Sequence, residues 1–383
     1  MLDCQKQLFS LDEHVHYLNC AYMSPLLKAA EDAGIAGMQK KRSPQHIKAK
    51  DFFEDAVMVK QLFAQLVSAR PECVALIPSV SYGMAIVGKN IKSARKKIVT
   101  VYEEFPSDVY ALHRLCHDKQ MKLHTVHPPA SIIGRASKWN EHILDAIDNE
   151  TALVNLSSVH WSDGTVFDME AIGKRAKDVG AVFVVDGSQS VGARPFDLQK
   201  YNVDALICAG YKWLLGPYTS GFIYLSGYFD DGVPLEESWL NRVGSDNFRT
   251  LSNYEEISAY MPAAGRHNMG EYSNFINLPI LKVALTQIID WTPAAISAYC
   301  KSITQPLVEA LLQNDFGLEE ENLRCSHLFG CRLPAHMHAG AVQEKLEARD
   351  IFISLRGDAL RISPHVYNDA ADIEQLTSAL LDL

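Results

Sequence analysis

Residues 181–225 read AVFVVDGSQSVGARPFDLQKYNVDALICAGYKWLLGPYTSGFIYL. An apolar, β-branched run ends in Asp186; a second run, DALICAG, ends just before Lys212; a third, SGFIYL, follows at once. Continuous apolar runs of this kind are strands buried on both faces of a sheet. The loop carrying Lys212 is too short for a helical crossover, which predicts an antiparallel strand after it. Upstream, DMEAIGKRAKDVGA places Ile172, Ala176 and Val179 at i, i+4 and i+7 between an opening Asp168 and a closing Gly180. That is one helix followed by the Asp186 strand.

Working outward, CVALIPS, KIVTVYEEF, KLHTVHP and ALVNLSSVH complete seven strand-like runs from about Glu72 to Leu225. Alternation with amphipathic segments predicts an α/β fold built on a seven-stranded, mostly parallel sheet. Beyond an irregular stretch from Tyr228 to Gly270, NFINLPILKVALTQIIDW and PAAISAYCKSITQPLVEALLQND read as long helices, and DAADIEQLTSALLDL as a final one. A smaller C-terminal α+β domain is expected there. The 383 residues, 48% hydrophobic and 21% charged, suffice for a large core in about two domains. Scattered basic residues and a net charge of −10 argue against a nucleic-acid partner. No apolar run reaches the roughly 18 residues of a membrane span, and no secretory signal pattern is visible, so a cytoplasmic protein is expected. The eight cysteines form no CxxC pair, and Cys325 and Cys331 lack the second pair that zinc requires; free thiols and no metal are expected.

Ligands of open α/β sheets gather at the carboxyl ends of the strands. Asp186 stands at such an end, where an ionised carboxylate needs a cationic partner. Alone it reads equally as a helix cap or a structural ion pair. Lys212 holds the same position on the next strand; alone it is most simply a solvated lysine, although a buried amine with lowered pKa can form a Schiff base. Together the two suit pyridoxal phosphate, which needs a lysine for its aldehyde and a carboxylate to keep its ring nitrogen protonated.

VVDGSQSVGARPFDL followed by DALICAGYKWLLGPYTSGFIYL resembles the class V aminotransferase family of fold-type I pyridoxal phosphate enzymes, which includes cysteine desulfurases, kynureninases and isopenicillin N epimerase-like proteins. The likeness extends from YLNCAYMSP to ISLRGDALRISPHVYNDAADIEQL. It implies that Lys212 carries the Schiff base and moves protons at the substrate α-carbon, that Asp186 pairs with the pyridinium nitrogen, and that Gln189 lies near the ring hydroxyl. In PSVSYGMAIVGKNI it places the phosphate on Ser81 and the amides around Val80 and Tyr82; a helix N-terminus also offers free amides to an anion, and the plain alternative for Ser81 is a cap. Phe105, in EEFPSDVYAL, matches a ring stacked on the cofactor, and would otherwise be read as core. Tyr211 stands where many relatives have histidine and kynureninases have tyrosine, within reach of the phosphate. Arg361 matches the arginine that holds the substrate α-carboxylate in a bidentate pair, with Arg356 as a second candidate. Tyr22 lines the pocket on the same likeness, and equally reads as packing. Three parts are implied: an N-terminal segment, residues 1–20, packing on the small domain; a large cofactor-binding domain, 21–265; and a small domain, 266–383. A homodimer with active sites near its interface is implied as well.

The chain also departs from the family pattern. FISLRGDALRIS has no cysteine and no room for the nucleophile loop of cysteine desulfurases, so persulfide chemistry is not expected, Cys331 being the remaining thiol nearby. In GRHNMGEYSNF, Glu271 or Ser273 replaces a threonine that reaches the partner subunit's phosphate. In SSVHWSDGT the usual asparagine is missing, with His160 and Trp161 near its place; His160 can stack, donate a hydrogen bond or pack. The function implied is a pyridoxal phosphate enzyme acting on an amino acid, with transamination as the default. The alternatives are a lyase that cleaves a carbon–sulfur bond or eliminates at the β-carbon, an amino acid epimerase, and a non-catalytic binding protein on the same fold. A dinucleotide-binding fold is excluded by the lack of GxGxxG after the first strand.

Overall fold

The structure is a computed structural model and describes residues 2–255, 259–357 and 359–382. Residues 256–258 of the irregular stretch, Asp358 of the ISLRGDALRIS segment, and the two terminal residues lie outside the described residues.

Twelve strands are present among the described residues. A short β1 (His16–Tyr17) precedes β2 (Val74–Ile77), β3 (Lys97–Val101), β4 (Lys122–Val126), β5 (Thr151–Ser157), β6 (Val182–Asp186), β7 (Ala205–Ala209) and β8 (Gly221–Leu225); β9 (Phe329–Arg332), β10 (Ile351–Phe352), β11 (Ser354–Arg356) and β12 (Ala359–Ile362) follow. Seven of them form one sheet in the order β2-β8-β7-β6-β5-β3-β4. All neighbours run parallel except β8, which is antiparallel to both β2 and β7. The seven apolar runs of the sequence are these seven strands, and the short loop does reverse the chain. Every residue of β5, β6 and β7 is buried, as a sheet covered on both faces requires.

The helices are α1 (Lys28–Gln39), α2 (Glu54–Leu66), α3 (Val80–Asn90), α4 (Pro106–Lys119), α5 (Arg135–Ala146), α6 (Met169–Val179), α7 (Leu198–Tyr201), α8 (Asn277–Trp291), α9 (Pro293–Gln313), α10 (Ala339–Glu347) and α11 (Ala370–Leu381). On one face of the sheet, Val59 and Phe63 of α2, Trp139 of α5, Ile172 of α6 and Leu281 of α8 share a core with Val154, Phe183 and Phe222. On the other, Met84 and Val87 of α3 and Leu112 and Leu115 of α4 pack on Leu153, Val184 and Ile207. The α6 boundaries follow local chemistry: the Asp168 carboxylate caps the Ala171 amide at 3.0 Å, and Gly180 closes the helix with φ 71°.

A three-stranded antiparallel sheet, β11-β12-β9, packs with α9, α10 and α11 around Leu311, Leu346, Leu360 and Leu376. Leu18 is buried in this second core, and β1 pairs in parallel with β10, so the N-terminal segment runs along this sheet. No helix of the described residues is long and apolar enough to cross a membrane.

Candidate active site

The carboxyl ends of the parallel strands supply the site. Burial of β6 carries Asp186 inside, where its Oδ1 accepts the Ser188 amide at 2.8 Å. After β7 the chain turns tightly, with the Gly216 amide donating to the Gly210 carbonyl at 2.8 Å. This turn holds Lys212 at 7% exposure, with Nζ 5.3 Å from the Phe105 ring centre and 5.5 Å from that of Tyr211. Burial pushes the Lys212 ammonium down to about 8; Asp186 opposes that shift, and Arg361 and Arg356 add to it. An amine in this state is half neutral at about pH 8, so both its forms are accessible near neutral pH, which is what a nucleophile or proton carrier needs.

Asp186 has two acidic neighbours. Asp108, in the first turn of α4, is fully buried, and neither of its carboxyl oxygens has a hydrogen-bond partner. Burial, and then the nearby Asp186 and Glu104 carboxylates, hold Asp108 well above the usual carboxylate range. Asp186 is also raised, by burial first, with Ser188 working against it. Two carboxylates this close do not both ionise without a cation between them. Glu104 is tied down separately: it accepts the Phe105 amide at 2.7 Å and the Ser157 amide at 2.6 Å. Asp108 has no role in the sequence reading, yet Asp108, Leu112 and Leu115 stand at i, i+4 and i+7, an acid on the apolar stripe of α4. That periodicity is the signal which could have found it.

At the start of α3 the cap is Ser79, whose Oγ accepts the Tyr82 amide at 3.2 Å and lies 2.9 Å from Ser81 Oγ. Ser81 is exposed, Val80 buried and Tyr82 half-buried beside Glu236. Tyr211 packs on Tyr218 with ring centres 4.6 Å apart, and burial pushes its phenol up to about 12.

The β11–β12 hairpin closes the opposite side. Arg361 is 1% exposed and donates to the Trp161 carbonyl at 2.8 Å and to Ser354 Oγ at 3.3 Å. The Arg356 guanidinium lies 5.4 Å from the Trp161 ring centre, and the Trp161 ring meets Phe105 edge to face at 5.6 Å. Tyr22, 58% exposed, is among the groups acting on Arg356 and Tyr211.

Two expected residues are engaged elsewhere in the structure. Gln189 accepts from Trp213 Nε1 at 2.8 Å and donates to the Ala21 carbonyl at 3.2 Å. His160 is packed edge-on against Trp139, with Nδ1 3.1 Å from Asp163 and Nε2 3.1 Å from the Tyr102 carbonyl. Burial works against charge on His160, but Asp163 outweighs it and raises the imidazole above its ordinary value. Glu271 has a left-handed backbone, φ 57°, and the Ser273 hydroxyl donates to the Phe52 carbonyl.

A family model described as Aminotransferase class-V matches residues 35–376. An uncharacterized aminotransferase of Bacillus subtilis, YcbU, is 26% identical over 95% of this chain and 93% of its own. The isopenicillin N epimerase of Amycolatopsis lactamdurans is 23% identical over 99% of this chain and 97% of its own. Among solved structures, apo cysteine desulfurase from Thermococcus onnurineus superposes with a TM-score of 0.81 at 18% identity, covering 100% of both chains. A C-DES variant with glycine covalently linked to its PLP cofactor gives 0.83 at 18% identity, covering 99% of both chains. The extent of the family match, spanning the seven-stranded and three-stranded sheets and every group described above but Ala21 and Tyr22, establishes that the chain belongs to the class V aminotransferase family.

Proposed function

We propose that the protein is a pyridoxal phosphate enzyme that acts on an amino acid, with transamination as its reaction. The observation that carries this reading is the buried Lys212 amine, held near neutral pKa between Phe105 and Tyr211 and within the field of Asp186 and Asp108. The residues fit the cofactor. The unpartnered Asp108 oxygens and the raised Asp186 form an acidic pocket that the Lys212 charge offsets only in part, and a protonated ring nitrogen would supply a further cation. When bound, the cofactor supplies an electron sink for a carbanion at the substrate α-carbon.

In this reading Asp186, with Asp108 behind it, holds the ring proton, and Phe105 covers a ring face. The α3 N-terminus, from Ser79 to Tyr82, takes the phosphate with its free amides. Lys212 holds the aldehyde and then carries a proton to and from the α-carbon, a task suited to an amine of pKa near 8. Arg361 orients the α-carboxylate, and its bonds to Trp161 and Ser354 fix the guanidinium in advance. Transamination is preferred because the family model is one of aminotransferases and a full-length relative carries that name. Two copies are proposed to associate, consistent with the exposed Trp239, Phe248 and Tyr218. The free cysteines of the described chain suit a reducing compartment.

The test is an absorbance spectrum from about 300 to 500 nm before and after borohydride, with mass analysis of the Lys212 peptide. A band that disappears on reduction, with the cofactor mass fixed on Lys212, is the expected result. A protein that takes up no added pyridoxal phosphate would overturn the reading, and keto acid formation from an amino acid panel distinguishes transamination from elimination.

A further inference from the structure

The β11–β12 hairpin presents two arginines to the site, and one substrate α-carboxylate accounts for only one of them. Ser354 pairs across the hairpin with Arg361, and Arg356 with Ala359. Because side chains alternate along strands, Ser354, Arg356, Ala359 and Arg361 all project from one face. Arg356 and Arg361 are thus diagonal neighbours, about 7–8 Å apart at the backbone.

Both guanidiniums face the wall made by Trp161: Arg361 bonds its carbonyl and Arg356 lies over its ring. Neither forms an ion pair among the described residues, and the buried Nε of each has no hydrogen-bond partner. The carboxylates of the site, Asp186 and Asp108, act on Lys212, whereas burial acts first on both arginines, followed by the Tyr22 phenol for Arg356 and by the Arg356 charge and the Tyr17 phenol for Arg361. Guanidinium stays protonated under these conditions. Two adjacent half-buried or buried cations with free donors and no acid partner are unfavourable unless a ligand brings negative charge to both.

We propose that the substrate is an amino acid with an anionic side chain, Arg361 taking its α-carboxylate and Arg356 a carboxylate at the far end. This rests on the amino acid reading above and deepens it by naming the substrate class. Trp161 and Phe105, edge to face, leave an aromatic floor along which the methylene groups between the two anions lie.

The test uses ligands without an amine, so that nothing reacts at Lys212 and a failure of the cofactor reading does not disturb it. Calorimetric affinities of succinate and butyrate are compared for the wild type, Arg356→Gln, Arg356→Lys and Arg361→Gln. Wild type is expected to prefer succinate by about tenfold or more, the worth of one charge-assisted hydrogen-bonded pair. Arg356→Gln should reduce that ratio to about one, Arg356→Lys restore part of it, and Arg361→Gln weaken both ligands. Ratios within one protein are insensitive to small stability losses. Equal affinities in the wild type, no measurable succinate binding, or a preference that survives Arg356→Gln would overturn the proposal. Tighter binding of phenylpropionate than of succinate would overturn it too, in favour of an aromatic side chain stacked on Trp161.

Discussion

A carboxyl group at position 108, buried and without a hydrogen-bond partner, is a sharp case of a residue whose state depends on its surroundings. Burial first, then Asp186 and Glu104, raise it well above its ordinary range, so the folded protein keeps a proton that the unfolded chain releases. Stability from this group is complete below about pH 4, the unfolded value, and is lost as pH rises toward the raised folded value. Asp108→Asn retains shape and removes the titration. Its thermal midpoint should change less steeply than that of the wild type as pH rises from about 4 to about 7. Parallel curves for the two proteins would mean that Asp108 titrates normally. Asp186→Asn, by contrast, should lower turnover by about 10²–10³, the scale of losing one preorganised electrostatic contact. The sequence placed Asp186 and Lys212 at strand ends because buried strands are legible in a run of apolar letters. It marked Asp108 only by its place on the apolar stripe with Leu112 and Leu115, and the packing of α4 on the sheet sets that stripe beside Asp186.

At the scale of elements, α6 shows how closely a helix can sit on its neighbours. A Cβ at Gly173 would fall inside the contact distance of the Tyr201 carbonyl oxygen and press on the Phe183 ring. On α3, a Cβ at Gly88 would meet nothing within 4 Å. Gly173→Ala is therefore expected to destabilise by about 1–3 kcal/mol or more, through overpacking against backbone. Gly88→Ala should stabilise by about 0.5–1 kcal/mol through helix propensity. Chemical denaturation midpoints of the two variants, moving in opposite directions, check this; equal shifts would show that helix propensity dominates both. In the sequence the two glycines look alike, each a break in an otherwise helical pattern. The cap residues of α6, Asp168 and Gly180, are legible because their hydrogen bonds are made within one turn of chain.

For the whole molecule, the most consequential contact is a guanidinium that joins distant segments. Arg135, buried at the start of α5, pairs with Asp163 at 2.9 Å and with Glu319, beyond α9. Asp163 in turn bonds His160, and its carbonyl accepts the Gly330 amide of β9 at 2.7 Å. The 160–165 loop thereby ties the large sheet to the small one, and Trp161 within it holds Arg361. Arg135→Ala leaves Glu319 buried without its cation and Asp163 with His160 alone, so a loss of about 3–5 kcal/mol is expected, with faster amide exchange through residues 160–165. Arg135→Met, which fills the space without charge, should unfold at much the same temperature as Arg135→Ala if the unpaired acids dominate. A near wild-type midpoint for Arg135→Ala would show that the network contributes little.

The sequence by itself determined the seven strands, the reversal at β8, the caps of α6 and the placing of Asp186 and Lys212 after neighbouring strands. These follow from periodicity, turn length and local hydrogen bonding, which act over a few residues and leave their pattern in order along the chain. The tertiary structure alone decided what surrounds that pair. It brought Asp108 from α4 to Asp186, turned the Gln189 amide to Trp213 and the His160 ring to Asp163, and set Arg356 and Arg361 on one hairpin face without an acid partner among the described residues. Asp108 meets Asp186, and Gln189 meets Trp213, from more than 20 residues away in sequence, whereas His160–Asp163 and Arg356–Arg361 lie within one loop and one hairpin and are set by what those segments pack against. In a buried site of low polarizability, one neighbouring charge then outweighs intrinsic chemistry.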